Sequence, residues 1–122
     1  MFEIEIDRSF SAAHQLKGYD GDCRNLHGHN YGVTVTVAAS ELNEIGIALD
    51  FKLLKMAVDE LIGSYDHRNL SELPEFQEIN PTSEVLAQTI YRRLSGKLND
   101  GRIKVVRVSV AESAASRVIY SE

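Results

Sequence analysis

The sequence predicts an α+β domain, a four-stranded antiparallel sheet with two helices on one face, in the order ββααββ. Three features point there. Clean alternation of apolar and polar residues opens the chain and returns in later segments. Two stripes at helical spacing lie together in the middle. The links between strands are short or hairpin-like, as an antiparallel sheet requires. At 122 residues, with no linker, repeat or low-complexity stretch, the chain reads as one domain, 1–122, with a single modest core.

The opening "MFEIEIDRSF" sets Phe2, Ile4 and Ile6 on one parity against Glu3, Glu5 and Asp7 on the other, a half-buried strand. Continued without a bulge, it keeps Phe10, Ala12 and His14 on the apolar face. A loop rich in Gly and Asp (Gly18 to Asp22) leads to "YGVTVTVAAS", where Val33, Val35 and Val37 share a face. Asp50 is a helix N-cap, and Phe51, Leu54, Val58, Leu61 and Ile62 give residues 51 to about 62 an amphipathic stripe. The polar run "GSYDHRNLSELPEFQEINP" is a long irregular loop, a kind of segment that often carries function. "NPTSE" starts the second helix, with Pro81 in a first-turn position, Glu84 near the positive end of the dipole, and Leu86, Ile90, Tyr91, Leu94 and Leu98 as its stripe. "NDG" turns the chain into "RIKVVRVSVAE", with Val106, Val108 and Val110 on one face and Glu112 at its end. "SRVIYSE" is a short fourth strand.

The composition narrows the function. A content of 43% hydrophobic and 25% charged residues is ordinary for a globular protein. The net charge of −5, with no basic stripe, argues against nucleic acid as the main partner. No apolar run approaches the roughly 18–20 residues that span a bilayer. The N-terminus has no basic stretch followed by an apolar one, so it does not read as a signal peptide. A single cysteine excludes an intrachain disulfide and fits a reducing compartment, so a cytoplasmic protein is expected. A small four-stranded sheet has two open edges, which predicts a symmetric homo-oligomer.

The chemistry concentrates around "DCRNLHGHNYG". His27 and His29 are two apart, so on extended backbone both point to one face. His14 supplies a third imidazole if the first two strands pair. Three histidines without a fourth protein ligand make the open pattern of catalytic zinc, although a lone histidine is more often no ligand at all. Cys23, in a polar loop, is either a base or nucleophile whose acidity a cation alters, or a fourth ligand in a closed site; a buried small hydrophobe is the commoner fate of a single cysteine. Asp66 and His67 are adjacent in the long loop, where a solvated histidine competes with an Asp-oriented proton relay. Glu112 follows inward-facing valines, so it either reaches solvent or meets a specific partner, and one carboxylate can accept the paired N–H donors of a pterin or guanine edge.

Together, "FSAAHQL", "CRNLHGHNYG", "LDFKLLK", "YDHRNL", "NPTSE" and "VSVAES" resemble, in the same order, the 6-pyruvoyltetrahydropterin synthase/6-carboxytetrahydropterin synthase family over nearly the whole chain. The short gap between Cys23 and His-Gly-His, with "LDF", is similar to the bacterial branch that forms the carboxy product for queuosine biosynthesis. The pyruvoyl branch typically has a longer gap, and a folate-pathway variant has glutamate in place of the cysteine. The resemblance implies a T-fold whose trimers form a barrel and stack as a homohexamer, a dimer of trimers, with sites at subunit interfaces. It implies one Zn2+ per subunit on His14, His27 and His29, with Cys23 as general base beside Asp66 and His67. Glu112 would anchor the pterin, and Thr82 and Ser83 would add contacts largely through the backbone. The implied substrate is a pterin triphosphate, 7,8-dihydroneopterin triphosphate, and Lys17, Arg24 and Arg8 are candidates to meet its phosphates. The same residues also fit a pyruvoyl-forming enzyme without C–C cleavage, or a T-fold protein that binds zinc without turnover.

Overall fold

The computed structural model describes all 122 residues. Strands β1 (Phe2–His14) and β2 (His27–Ala39) form a long antiparallel hairpin, running from Phe2 opposite Ala39 to His14 opposite His27. Helix α1 (Phe51–Ile62) follows, then a two-residue strand β3 (Arg68–Asn69), helix α2 (Ser83–Leu98), and the hairpin of β4 (Ile103–Ser113) with β5 (Ser116–Tyr120). The sheet order is β3-β1-β2-β4-β5. Helix α1 packs on β1 and α2 on β4 and β5. A single cluster of 25 buried residues lies between sheet and helices. No helix is long and apolar enough to cross a membrane.

The alternating pattern does what it predicts through most of β1 and β2, except that Phe2, at the strand start, is exposed and Thr36 is buried. Ile6, Phe10, Ala12 and His14 are buried, as are Tyr31, Val33, Val35 and Val37, and Glu3, Glu5 and Asp7 face outward. The first helix is capped where the sequence suggests, and the second is capped by Thr82. Asp50 accepts the Lys52 N–H at 2.8 Å, and Thr82 accepts the Val85 N–H at 3.1 Å. Each cap stabilises its helix by about 1 kcal/mol.

Four expectations are corrected. The sheet has five strands, because Arg68–Asn69 pairs in parallel with Ala12 and Ala13; two residues are too few to show any alternation. Val106 does not share a face with Val108 and Val110. A bulge opposite Thr36 and Val37 makes it an extra residue, so the buried set is Ile103, Val105, Val108 and Val110. Pro81 precedes the cap of α2 instead of sitting in its first turn, because the Thr82 hydroxyl takes the cap position. Phe51 is exposed, since the first turn of α1 overhangs the core that Leu54, Ala57, Val58 and Ile62 enter.

β1 pairs with β3 on its outer side only at Ala12 and Ala13, and Asp66 and His67 engage Ser11, so the edge from Phe2 to Phe10 is open, and β5 forms the other open edge.

Candidate active site

The site begins with the register of the first hairpin. Pairing puts His14 opposite His27 and Ala12 opposite His29, on the face toward the helices. Ligating nitrogens of the three histidines lie within 4.8 Å of one another. The Nε2 atoms of His14 and His27 are 2.9 Å apart. His14 Nδ1 lies 2.8 Å from the Pro81 carbonyl, and His27 Nδ1 lies 2.7 Å from the Asn25 carbonyl. A carbonyl only accepts, so each Nδ1 carries the hydrogen and each Nε2 presents a lone pair. Two lone pairs 2.9 Å apart repel unless a cation lies between them.

His29 adds a buried Nε2 that no donor or acceptor satisfies. Burial, the largest influence on His14, lowers its pKa from the ordinary value and so favours the neutral, ligating form. Three imidazoles, two of them with their outer nitrogens tied to carbonyls, fit a zinc-type centre with an open position. Cys23 is not part of this cluster. It sits half-buried in a 3-10 turn, Asp22–Arg24, within the loop after β1.

Glu112 stands beside the cluster. Its Oε2 is 3.7 Å from His29 Nε2, and its Oε1 accepts the Ser83 hydroxyl at 2.9 Å. A second bulge on β4, between Ala111 and Ser113, lies at this position. Glu112, Ser83, Glu84 and Arg117 line a cavity of about 170 Å³. The Thr82 and Ser83 hydroxyls are thus spent on the helix cap and on Glu112, leaving backbone groups for any ligand.

Asp66 and His67 do form a pair, with His67 Nδ1 at 2.9 Å from Asp66 Oδ2. Asp66 Oδ1 also accepts the Ser11 N–H at 2.9 Å, and these two bonds, the Ser11 one first, hold its carboxyl below the usual range. His67 has a φ of 59°, the left-handed region, at a cost of about 1 kcal/mol. Its N–H bonds to the Ser11 carbonyl at 2.6 Å, which fixes that conformation. His67 and His29 line one open cleft of about 510 Å³ with Ser11, Asn30, Arg68 and Asn69. Neither Asp66 nor His67 is hydrogen-bonded to Cys23 within the chain.

The three residues after β1 tie these parts together. Gln15 exchanges hydrogen bonds with the Ser71 hydroxyl, Leu16 N–H donates to the Cys23 carbonyl at 2.9 Å, and Lys17 is clasped by Asn80. Sequence reasoning did not single out Tyr31 or Asn80. Tyr31 had a signal, since it continues the parity of His27 and His29; it is fully buried, stacked on Phe10, with its hydroxyl 3.1 Å from His14 Nδ1. Arg8, a candidate phosphate contact, is instead engaged by Asp59 at 2.6 Å.

Residues 3–122 match the family profile described as 6-pyruvoyl tetrahydropterin synthase. The chain is 36% identical over 126 residues to the 6-carboxy-5,6,7,8-tetrahydropterin synthase of Bacillus subtilis, covering 98% of this chain and 84% of that protein. It is 36% identical over 120 residues to the Synechocystis protein of the same name, covering 94% and 92%. Among solved structures, the 6-pyruvoyl tetrahydropterin synthase of Caenorhabditis elegans superposes with a TM-score of 0.88 at 26% identity, covering 99% of this chain and 95% of that one.

Proposed function

The chain belongs to the 6-pyruvoyl tetrahydropterin synthase family, and from that premise we propose that it is a zinc-dependent 6-carboxy-5,6,7,8-tetrahydropterin synthase. It converts 7,8-dihydroneopterin triphosphate and water to 6-carboxytetrahydropterin, acetaldehyde and triphosphate, on the route to queuosine. The observation that carries the metal centre is the 2.9 Å approach of two Nε2 lone pairs whose Nδ1 partners are both carbonyls. The product assignment is supported by the relatives' names and by the three-residue gap between Cys23 and His27.

His14, His27 and His29 would hold one zinc ion per subunit. When bound, zinc supplies Lewis acidity that makes C–H and O–H groups of the substrate side chain easier to deprotonate. Cys23 acts as the general base on the side chain. Asp66 keeps His67 oriented, so that the imidazole returns or relays protons during tautomerisation, triphosphate loss and C–C cleavage. Glu112, held by Ser83, accepts the N–H edge of the pterin, and backbone groups of Thr82 and Ser83 add to that contact. Lys17 and Arg24 remain candidates for the phosphates.

Cys23 and the Asp66–His67 pair work together across a subunit boundary. The open edge of β1 and the edge of β5 pair head-to-tail between copies, which closes a ring, and two such trimers form the homohexamer. The activity belongs in a reducing compartment, the cytoplasm, where the Cys23 thiol stays free.

Mass analysis of the products from dihydroneopterin triphosphate tests the assignment. Acetaldehyde with the carboxy product supports it. A pyruvoyl product without acetaldehyde assigns the chain to the other branch, and zinc binding without turnover leaves a binding protein.

A further inference from the structure

The geometry points to Asn80 as a positioning residue of the metal centre, acting through the Pro81 carbonyl on His14; this rests on the reading that the three histidines hold a metal. The Asn80 carboxamide grips one residue of the segment after β1 from both sides. Lys17 N–H donates to Asn80 Oδ1 at 3.0 Å, and Asn80 Nδ2 donates to the Lys17 carbonyl at 2.8 Å. A side-chain amide thus extends the pairing of β1 three residues past His14, without a strand to do it. The next residue, Pro81, makes the following rung, its carbonyl 2.8 Å from His14 Nδ1. The Asn80 carbonyl accepts the Thr82 N–H at 2.9 Å, which closes the turn around Pro81. Proline has a fixed φ, and the Thr82 N–H bond to the Asn80 carbonyl constrains its ψ, so the Pro81 carbonyl direction follows from how the Asn80 peptide is held.

The direction matters because His14 Nδ1 has two neighbours. The Tyr31 hydroxyl is 3.1 Å from the same nitrogen. A carbonyl can only accept, so it enforces an Nδ1–H and a free Nε2 lone pair. A phenol can also donate. If the Pro81 carbonyl drifts away, Tyr31 donates its hydrogen to Nδ1, the imidazole hydrogen moves to Nε2, and the ligating lone pair is lost. Asn80 therefore selects the tautomer of His14 through the adjacent Pro81 carbonyl, and Tyr31 is the competitor it keeps out.

The test is zinc affinity of the metal-stripped full-length protein, by competition with a chromophoric chelator. Thermal unfolding of the metal-free form and the visible spectrum of the Co2+-loaded form are recorded alongside. Asn80→Ala should weaken zinc binding about tenfold, as loss of outer-shell support does. Tyr31→Phe should bind as tightly as the wild type. The double variant N80A/Y31F should recover most of the affinity and the wild-type Co2+ spectrum, although its metal-free stability stays as low as that of N80A. Should N80A fail to fold, Asn80→Asp, which keeps the Oδ1 acceptor, carries the same comparison. Wild-type affinity in the Asn80 variant overturns the inference, and so does weakened binding that Tyr31→Phe does not rescue. A wild-type protein that binds no zinc removes the metal reading itself.

Discussion

Ser83 donates its hydroxyl hydrogen to Glu112 Oε1 across 2.9 Å, tying the first turn of α2 to the end of β4. The bond leaves Oε2 as the free edge of the carboxylate, on the side of His29. Ser83→Ala should let Glu112 turn. A hydrogen bond to a partly exposed carboxylate is worth about 1 kcal/mol, so kcat/KM should fall about fivefold, with zinc content unchanged. Ser83→Thr keeps the hydroxyl and should keep the rate. Equal loss in both variants would assign Ser83 a packing role only.

Cys23 lies outside the histidine cluster. Cys23→Ala should therefore retain one zinc per chain by elemental analysis and lose turnover by a factor of about 10² to 10⁴, the range for a lost general base. Loss of the metal in that variant would make the thiol a ligand.

The ligand set is local to one hairpin, and the 25-residue core lies beside it. Chelator treatment should abolish activity, and added zinc should restore it. The stripped protein should still unfold cooperatively, at a lower temperature. His27→Ala should behave like the stripped protein even with zinc present. Retention of stoichiometric zinc in that variant would count against the cluster.

If Cys23 of one subunit works with His67 of the next, two dead variants can complement each other. Cys23→Ala and His67→Ala, unfolded together and refolded as a mixture, should regain about one quarter of the wild-type rate, the share of interfaces that combine the two intact residues in a cyclic assembly. No recovery, with mixed oligomers demonstrated by native mass spectrometry, would place each site within a single chain.

Asp66 gives the fold an acid limit. Its carboxyl is held below its ordinary value, first by the Ser11 N–H and then by His67. A depressed carboxyl stabilises the folded state fully above its unfolded value and loses that contribution as pH falls through the folded one. Urea midpoints should therefore drop on acidification below about pH 4, and the drop should be shallower in Asp66→Asn. Parallel curves would show that Asp66 contributes nothing to acid sensitivity.

Much of this was legible in the residues. Alternation places β1 and β2, and the same parity puts His14, His27 and His29 on one face. Short-range chemistry, such as the Asp50 cap, is readable for the same reason: it depends on neighbours a few positions apart. The failures share a cause as well. Val106 loses its parity to a bulge that only the register against Thr36 and Val37 creates. The Asp66–His67 pair depends on a positive φ that Ser11, 55 residues from Asp66, holds in place. Ser83 meeting Glu112, and Asn80 meeting Lys17, are tertiary accidents to any reading of periodicity. The donors of the site are local, and the contacts that aim them are not.

That division has a temporal side. All three imidazoles belong to one hairpin, so the set is complete before Pro81, Ser83 and Glu112 are synthesised. Contacts of short sequence separation form fastest, so metal capture can precede the rest of the fold, with the ion pinning the strand register against slippage. On the proposed zinc reading, the later segments would then close around a centre already loaded, making loading and activation separate events in the life of one polypeptide.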